Sequence, residues 1–415
     1  MHYVRFAPAV TALMLALAAC GGSAAPASTA PAAPASSAAA KPATSAPASG
    51  AASIAAKPAG SASAKPAAAA SGAAEVSTAT LQQIVDGAKK EPAIKGSWSS
   101  SSFGGADGFN AMVDGINKKF GLSIKGTFTP GIDMQAMQGK IAEEAAANKP
   151  PDSDIYLGNA QGMRDALDTK SMKAYNWQSL VERPIPADAG AKFDPYAPNG
   201  TGVAIVSSIT GVTYNSKLVK ADQVPHKLQD LLKPEFKGKI ASTPYAAGWR
   251  EFSTKDLLGK DFTVNYVKQF SNQVAGLIRC GEPDRLSSGE FLMLAMDCGG
   301  QDASLSKAKG APIDQVVLDD ATTVHSFYAA VPVNSQAPNA SALISLYLET
   351  PEGQNLLYKY WYGDLYTYPE AQTKAQVDKV SKSGGKYAVD SPQWLESAGD
   401  FVQNQKELQD ILAKK

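Results

Sequence analysis

The chain has 415 residues, with 39 Lys and Arg against 39 Asp and Glu, so its formal net charge at neutral pH is zero. Nucleic-acid-binding proteins usually carry a basic excess or a basic patch, and this balance argues against a nucleic-acid partner. Small residues dominate positions 20–74, whereas residues 75–415 have the mixture of a globular protein. The globular part is too long for one simple core and predicts two domains.

The N-terminal residues are typical of an export signal. Arg5 precedes the apolar run Ala9–Ala19, which is shorter than the roughly 20 residues of a membrane-spanning helix. It indicates a signal peptide at residues 1–19. The run ends in Leu17-Ala18-Ala19-Cys20, which resembles the bacterial lipobox and implies a lipid anchor on Cys20. A plain signal peptide with an incidental cysteine is the alternative.

Residues 20–74 form a low-complexity segment of Ala, Pro, Ser, Gly, Thr and Lys that begins at the cysteine. The segment lacks acidic and aromatic residues, and Ile54 is its only large apolar residue. It cannot bury enough surface to offset the entropy of ordering, so we expect a disordered tether. Its ends would lie roughly 40 Å apart, enough to hold a folded domain clear of a lipid surface.

Helical and strand patterns alternate after residue 75. In chain order, they predict a helix at Leu81–Ala88, with Thr78 or Thr80 as its N-cap, a strand at Ile94–Trp98, a helix at Phe109–Phe120 that Gly121 ends, a strand at Leu122–Phe128, a helix at Met134–Ala145 and a strand at Ile155–Leu157. This alternation indicates βαβ units, an α/β fold class and a mainly parallel sheet.

The rest of the chain continues in the same style. It predicts strands at Gly211–Tyr214, Lys239–Ser242, Leu292–Met296 and Val316–Leu318, an apolar run at Phe327–Val333, a helix at Ala340–Leu348 and a last helix across Ser391–Leu412. We place a first lobe at 75–208 and 326–415 and a second lobe at 209–325. The crossovers between them would lie near Val206–Gly211 and Thr323–Ala329.

Three segments carry a family resemblance. They are Gly211–Val219 (Gly-Val-Thr-Tyr-Asn-Ser-Lys-Leu-Val), Leu231–Ile240 (Leu-Leu-Lys-Pro-Glu-Phe-Lys-Gly-Lys-Ile), and Leu348–Gln354, which follows Pro338-Asn339-Ala340. In order and spacing they resemble family 1 extracellular solute-binding proteins, especially the ferric-iron-transport-like branch. Taken by themselves, the segments indicate structural elements: a strand near the hinge, a turn that enters a strand, and a helix that starts at Pro351.

The resemblance implies a type II periplasmic-binding fold, with two α/β lobes, a hinge and a cleft that closes on the solute. It implies a small-molecule solute and an ABC permease of the inner membrane as partners, with no enzymatic activity and no cofactor. With the lipobox, it implies a location in the periplasm or at the cell surface, anchored by lipid.

Candidate solute contacts on the first lobe follow predicted strands. Ser100 and Ser101 lie in a Ser/Gly loop before a helix, where hydroxyls and backbone N–H groups would hold a carboxylate or phosphate oxygen; a solvated turn is the alternative. Asn159 and Gln161 follow the strand at Ile155–Leu157, and an amide both donates and accepts hydrogen bonds. Helix capping is the alternative for these two residues.

Four candidates lie on the second lobe. Tyr245 offers a stacking surface, and Arg250 offers a planar fork for a carboxylate or phosphate, although Arg250 could instead pair with Glu251 or another surface acid. Asp297 and Gln301 follow the strand at Leu292–Met296, next to two glycines that permit close approach of the backbone to a ligand. A turn constrained by a neighbouring cysteine is the alternative there.

Cys280 and Cys298 remain if Cys20 carries lipid. An even pair in an exported chain favours a disulfide, with two buried free thiols as the alternative. The ferric-iron branch typically uses adjacent tyrosines after this strand as metal ligands, but the matching positions are Asp297 and Cys298. Together with the isolated His226 and His325, this predicts no metal site formed by protein ligands. We expect an organic anion or small polar metabolite, ahead of a chelated metal.

Two other classes of function remain open. A secreted cleft hydrolase acting on a small substrate is the main alternative, although the sequence contains no Gly-x-Ser-x-Gly elbow, Walker loop or His-Glu-x-x-His motif. A sensory or adhesion lipoprotein would bind a protein partner and would need no cleft. The residues leave the solute, the permease and the oligomeric state unnamed.

Overall fold

The computed structural model describes residues 75–131, 133–399 and 401–414. The predicted signal peptide, the lipidated Cys20 and the tether lie outside the described residues. Within the described part of the chain, no helix combines the length and the hydropathy that a membrane span requires.

Strands and helices alternate through the described chain. The strands are β1 (Ala93–Trp98), β2 (Lys125–Pro130), β3 (Tyr156–Asn159), β4 (Val203–Ile209), β5 (Gly211–Asn215), β6 (Ile240–Ser242), β7 (Val274–Leu277), β8 (Met293–Asp297), β9 (Ile313–Val316), β10 (Ala321–Ala330) and β11 (Lys386–Asp390). The α-helices are α1 (Leu81–Ala88), α2 (Gly105–Phe120), α3 (Met134–Ala146), α4 (Ala160–Thr169), α5 (Trp177–Leu180), α6 (Trp249–Phe252), α7 (Lys260–Phe270), α8 (Pro283–Ser287), α9 (Gln301–Ala308), α10 (Pro338–Leu348), α11 (Pro351–Trp361), α12 (Gln372–Lys382), α13 (Pro392–Ser397) and α14 (Phe401–Ala413).

Local sequence signals set several helix ends. Thr80 caps α1 in a reciprocal capping box with Gln83, which satisfies backbone donors that the first turn leaves unpaired. Gly121 ends α2 in the left-handed region at φ 65°, where glycine adopts positive φ without steric cost. Thr350 caps α11, and Pro351 takes its first position. These ends were predicted from the residues.

The first sheet, which we define as β11-β10-β3 with β4, is organised around the long strand β10. β10 pairs in parallel with β11 and antiparallel with both β3 and β4. The parallel pair β1–β2 lies alongside, linked through Asp154, whose N–H donates to the Lys95 carbonyl oxygen at 2.8 Å. Its buried side chains form the first core, which includes Trp98, Phe109 and Tyr328.

The second sheet has the order β7-β6-β8-β5-β9. β6 is parallel to both β7 and β8, whereas β5 is antiparallel to β8 and β9. Its second core includes Trp249, Phe252 and Phe270, each at most 1% exposed. The two sheets therefore have separate cores, although Ala321 of β10 and Ala388 of β11 pack into the second.

The chain passes between the two sheets three times. Thr210 joins β4 to β5, and we call this position the first crossing. Residues 317–320 join β9 to β10 and form the second crossing. The segment from β11 to α14 forms the third, because α13 packs against α4 and β11 whereas α14 packs against α6 and α7.

The predicted strand at Val316–Leu318 is shifted, because β9 ends at Val316 and Val317 and Leu318 belong to the second crossing. Val317 is buried in the first core and Leu318 in the second. The apolar run therefore reflects burial by two cores instead of strand pairing. The crossing also precedes the predicted Thr323–Ala329 segment, which lies within β10.

The prediction of one helix across Ser391–Leu412 is wrong. α13 ends at Ser397, and Gly399 adopts a left-handed backbone at φ 63° before α14 begins. α14 buries Phe401, Leu408 and Leu412 in the second core. This part of the chain was expected to accompany the first lobe within 326–415, but its apolar face contacts the helices of the second sheet.

Two further differences have local causes. β2 begins three residues after the predicted Leu122, because the Asn117 side chain caps Ile124, accepting from its N–H and donating to its carbonyl oxygen, each at 2.9 Å. α12 and β11 were not predicted; β11 has only two fully apolar residues beside Tyr387, too few for a clear alternation.

Candidate functional site

The carboxyl ends of three parallel strands meet at one edge of the second sheet. Residues Thr243–Tyr245 follow β6, Ile278–Cys280 follow β7, and Cys298–Gln301 follow β8. In open α/β sheets, ligands bind outside the carboxyl ends of the strands. This edge is therefore the part of the second sheet best placed to contact a solute.

The three loops at this edge are joined to one another. Cys280 and Cys298 form a disulfide with their Cα atoms 5.9 Å apart. The Tyr245 hydroxyl accepts a hydrogen bond from the Cys280 N–H at 2.8 Å. Burial raises the pKa of Tyr245, so its hydroxyl remains neutral at physiological pH and can donate to a ligand oxygen.

Asp297, a predicted solute contact, is buried within the sheet at 4% exposure. Its carboxylate accepts from the Thr213 hydroxyl at 2.6 Å and from the Cys298 N–H at 2.9 Å. Burial raises its pKa to about 7, with the nearby Asp302 adding to the rise. One carboxylate oxygen therefore holds β8 to β5 through Thr213, and the other accepts from the backbone of the loop that follows β8.

Gln301, at the start of α9, connects the second sheet to the first. Its side-chain amide is 5% exposed and donates to the Ser207 carbonyl oxygen of β4 at 3.2 Å. The Ser208 hydroxyl donates in turn to the Cys298 carbonyl oxygen at 3.0 Å. The loop after β8 is thus hydrogen-bonded to a strand of the first sheet. Any relative movement of the two sheets would change these hydrogen bonds.

Arg250 forms the ion pair that the sequence left open as an alternative. Its Nε donates to Glu251 at 2.6 Å, and its guanidinium lies 5.0 Å from the Phe401 ring centroid. The second carboxylate oxygen of the buried Glu251 has no hydrogen-bond partner among the residues that the structure describes. Arg250 therefore compensates a buried charge, and any role in solute binding would be in addition to that pairing.

Arg279, which sequence reasoning missed, is exposed at the carboxyl end of β7. Among the described residues, its guanidinium takes part in no hydrogen bond or ion pair. Its charge reaches Tyr245, because Arg279 and Arg250 both oppose the rise in the pKa of that hydroxyl. β7 was not predicted as a strand, so the position of Arg279 was not recognised, although its place beside Cys280 was a usable signal.

The loop after β1 presents Ser100 and Ser101 to solvent. The Ser99 and Ser101 hydroxyls lie 3.0 Å apart, within hydrogen-bonding distance. Gly105 opens α2 at φ 54°, and a Cβ there would lie 2.6 Å from the Ser100 carbonyl oxygen. Glycine is thus required for this loop to turn tightly into the helix, and the serine hydroxyls remain accessible.

Asn159 has the capping role that the sequence left as its alternative. Its side-chain oxygen accepts from the Gly162 N–H at 2.9 Å at the start of α4. The Gln161 amide donates to Asp165 at 2.8 Å. Both side chains have local partners, so binding of a solute by either stays a prediction.

The described residues bring together no group of three or more His, Cys, Asp or Glu side chains that could hold a metal ion. Both side chains at the positions that match the tyrosine pair of the ferric-iron branch already have bonding partners. Cys298 is in the disulfide and Asp297 is bound to Thr213. A ferric ion would need ligands from elsewhere in the protein or from a chelator.

The sequence profile of a family described as bacterial extracellular solute-binding protein matches residues 111–384. An Fe(3+)-binding periplasmic protein of Serratia marcescens is 28% identical over 162 residues, which is 38% of this chain. The match spans 44% of that relative's length.

Solved structures resemble most of the described chain. The substrate-binding protein of an ABC transporter from Agrobacterium tumefaciens superposes with a TM-score of 0.61 at 14% identity, covering 79% of this chain and 96% of that one. Iron-bound HitA from Pseudomonas aeruginosa gives a TM-score of 0.56 at 14% identity, covering 76% and 99%. The predicted fold, two α/β lobes of the periplasmic-binding type, is confirmed.

Proposed function

Because this chain belongs to the bacterial extracellular solute-binding proteins, we propose that it captures a small anionic solute for an ABC importer by closing two lobes on it. The free guanidinium of Arg279 carries this proposal. It lies at the carboxyl edge of the second sheet, where its charge acts on the neutral Tyr245 hydroxyl. An exposed cation that has no side-chain partner within the described part of the chain, together with a hydroxyl donor, suits a carboxylate or phosphate oxygen.

We assign the lobes by their cores. The first lobe comprises 75–209 and 321–397, and the second comprises 211–316 together with α14. The two cores support this division except at Ala321, Ala388 and Trp394, which pack into the second core next to the crossings. Hinge closure would bring the Ser100–Ser101 loop and the start of α4 towards the Tyr245–Arg279 edge.

The proposal favours an organic anion or phosphate over a free ferric ion. The relative from Serratia marcescens is an Fe(3+)-binding protein, but Asp297 and Cys298 have other bonding partners here. A chelated metal remains compatible with the same site, since the chelator would supply the anionic oxygens that Arg279 binds.

We further propose that the protein is exported, that Cys20 is lipidated, and that the bound solute is delivered to a permease of the inner membrane. The lipobox-like sequence Leu17-Ala18-Ala19-Cys20 supports the anchor. Membership of the solute-binding family supports an extracytoplasmic location and a permease partner. Mass spectrometry of the mature N-terminus would test the anchor, and an unmodified Cys20 would contradict it.

A thermal-shift screen tests the solute class. We expect a carboxylate, phosphate or sulfonate to raise the melting temperature, because a ligand that binds only the native state stabilises it. Amino acids, polyamines and ferric chelates complete the panel. Exclusive stabilisation by polyamines or free metal ions would contradict the anionic class, and catalytic turnover of the hit would contradict a binding protein.

Replacing Arg279 by Ala is expected to weaken binding of the anionic hit by about 10- to 100-fold. The loss corresponds to one hydrogen bond to a charged group. Isothermal titration calorimetry measures the change. Arg285→Ala is the matched control, since Arg285 is already paired with Glu290, and its affinity should stay within about twofold of wild type. Equal affinity of the Arg279→Ala variant would remove Arg279 from the site.

A further inference from the structure

His325 is buried where the two sheets are joined. It is 7% exposed, and both of its ring nitrogens have side-chain partners. Nε2 lies 2.9 Å from the Thr210 hydroxyl, and Nδ1 lies 2.8 Å from a carboxylate oxygen of Asp390. Both partners are buried as well.

These three residues lie at or near three different connections between the sheets. Thr210 is the first crossing. His325 lies in β10, shortly after the second crossing, and Asp390 is the last residue of β11, just before the third. One imidazole therefore touches the chain at or beside every passage from one sheet to the other. We call Thr210, His325 and Asp390 the crossing triad.

Further hydrogen bonds hold the triad in place. The Thr210 N–H donates to the Thr323 carbonyl oxygen at 2.9 Å, and the Thr322 hydroxyl donates to the Thr210 carbonyl oxygen at 2.7 Å. The second oxygen of Asp390 accepts from the Ser326 N–H at 2.6 Å. The first and third connections are thus each bound to β10 by side chain and by backbone.

The charges around His325 come from β11 and α6. Burial and the positive charge of Arg250 lower the pKa of His325, whereas the negative charges of Asp390 and Glu251 raise it. The two carboxylates have the larger effect, so the pKa lies above its ordinary value of 6.5. The imidazolium form, paired with the Asp390 carboxylate, is therefore favoured further into the neutral range than for a free histidine.

We propose that His325 is a positioning residue of the hinge, which binds the three crossings together so that the two lobes turn about one defined axis when they close on the solute. The inference rests on the proposed capture of a solute between the lobes. A hinge held at one point restricts the lobes to few relative orientations. Less orientational freedom is then lost on closure, and this strengthens binding without any contact to the solute.

Thr210 provides the sharpest test, because its hydroxyl can be removed at nearly constant shape. Thr210→Val should weaken binding of the solute by roughly 3- to 10-fold, the range expected for one buried hydrogen bond, whereas Thr210→Ser keeps the hydroxyl and should restore affinity. Thr263→Val is the matched control, since Thr263 is equally buried in α7 and its hydroxyl forms no hydrogen bond with any described residue.

Hydrogen exchange monitored by mass spectrometry reports the coupling without any solute. In full-length Thr210→Val, we expect faster exchange in peptides covering 321–327 and 388–393 as well as 207–213, because loss of one contact loosens all three connections. Faster exchange confined to 207–213 would overturn the proposal. If wild type bound no anion at all while the coupled exchange remained, the proposed solute class would fail and the hinge role would stand.

The pH dependence of binding distinguishes a hinge role from a merely structural one. The His325–Asp390 ion pair is present below the pKa of His325 and is lost as the pH rises through it, so affinity should fall as the pH rises above the ordinary histidine value of 6.5. The measurement is made in an Asp297→Asn, Glu349→Gln background, because burial raises the pKa of these two carboxyls to about 7 and about 8. His325→Gln can still reach Thr210 but carries no charge, and its affinity should not vary with pH. An identical pH profile in both proteins would contradict the role of His325.

Discussion

Replacing Asp297 by Asn is expected to raise the free energy of unfolding at pH 8 by about 2–4 kcal/mol. Burial raises the pKa of this carboxyl from 3.8 to about 7, and each pKa unit corresponds to about 1.4 kcal/mol. Asparagine keeps the hydrogen bonds, because its amide can donate to the Thr213 hydroxyl and its oxygen can accept from the Cys298 N–H. The buried charge alone is removed.

The sign of this effect follows from proton linkage. Between about pH 4 and pH 7 the folded protein holds a proton on Asp297 that the unfolded chain has released, so stability falls as pH rises through this window and then levels off. Urea denaturation at pH 5 and pH 8 measures the change. The free energy of unfolding of Asp297→Asn should exceed that of wild type by far more at pH 8 than at pH 5.

Thr213→Val is the informative control for Asp297. The Thr213 hydroxyl donates to the Asp297 carboxylate and lowers its pKa. Its removal should therefore destabilise the protein more at pH 8, where the carboxylate is charged, than at pH 5. Equal effects of Asp297→Asn at both pH values would show that the carboxyl does not titrate near neutrality.

Removing the Cys280–Cys298 disulfide is expected to cost about 3 kcal/mol of stability. The bond closes a loop with a sequence separation of 18, and loop-closure entropy of the unfolded chain gives a value of this size. The double variant Cys280→Ser, Cys298→Ser also frees the loops after β7 and β8. We therefore expect a loss of solute affinity together with the loss of stability, since Arg279 adjoins Cys280.

Denaturation of the double variant and of wild type, each with and without reductant, measures this contribution. Reductant should destabilise wild type and leave the double variant unchanged. Tyr245→Phe removes the hydroxyl that accepts from the Cys280 N–H and keeps the disulfide, so it separates loop anchoring from the covalent bond. A wild type whose stability is insensitive to complete reduction would contradict the estimate.

Most secondary structure could be predicted because it depends on local patterns. The apolar stripe of Phe109, Met112 and Ile116 predicts α2, and the same residues are buried in the first core. Periodicity misleads at Val316–Leu318, where burial between two cores produces an apolar run without strand pairing. It also misses Gly399, whose left-handed backbone separates α13 from α14.

The candidate site was predicted less completely than the fold. Tyr245 and Gln301 were proposed because they follow predicted strands, and the structure places them at the carboxyl ends of β6 and β8; their contact with a solute stays a prediction. Arg279 was missed because recognition of its position required β7, a strand with only one fully buried residue. Asp297 was expected to face the solute, but its carboxylate is buried against Thr213 of β5. The pairing of β5 with β8 shifts register next to this contact, which the sequence pattern does not reveal.

By itself, the sequence determined the α/β alternation, the family resemblance and the pairing partners available to its cysteines, because these depend on short-range patterns and residue types. Only the tertiary structure decided the surroundings of His325, whose two partners lie 115 and 65 residues away along the chain. It also decided that α14 packs against the second core. Periodicity tells which face of a segment is buried, but the partner that buries it is chosen by the packing of distant elements.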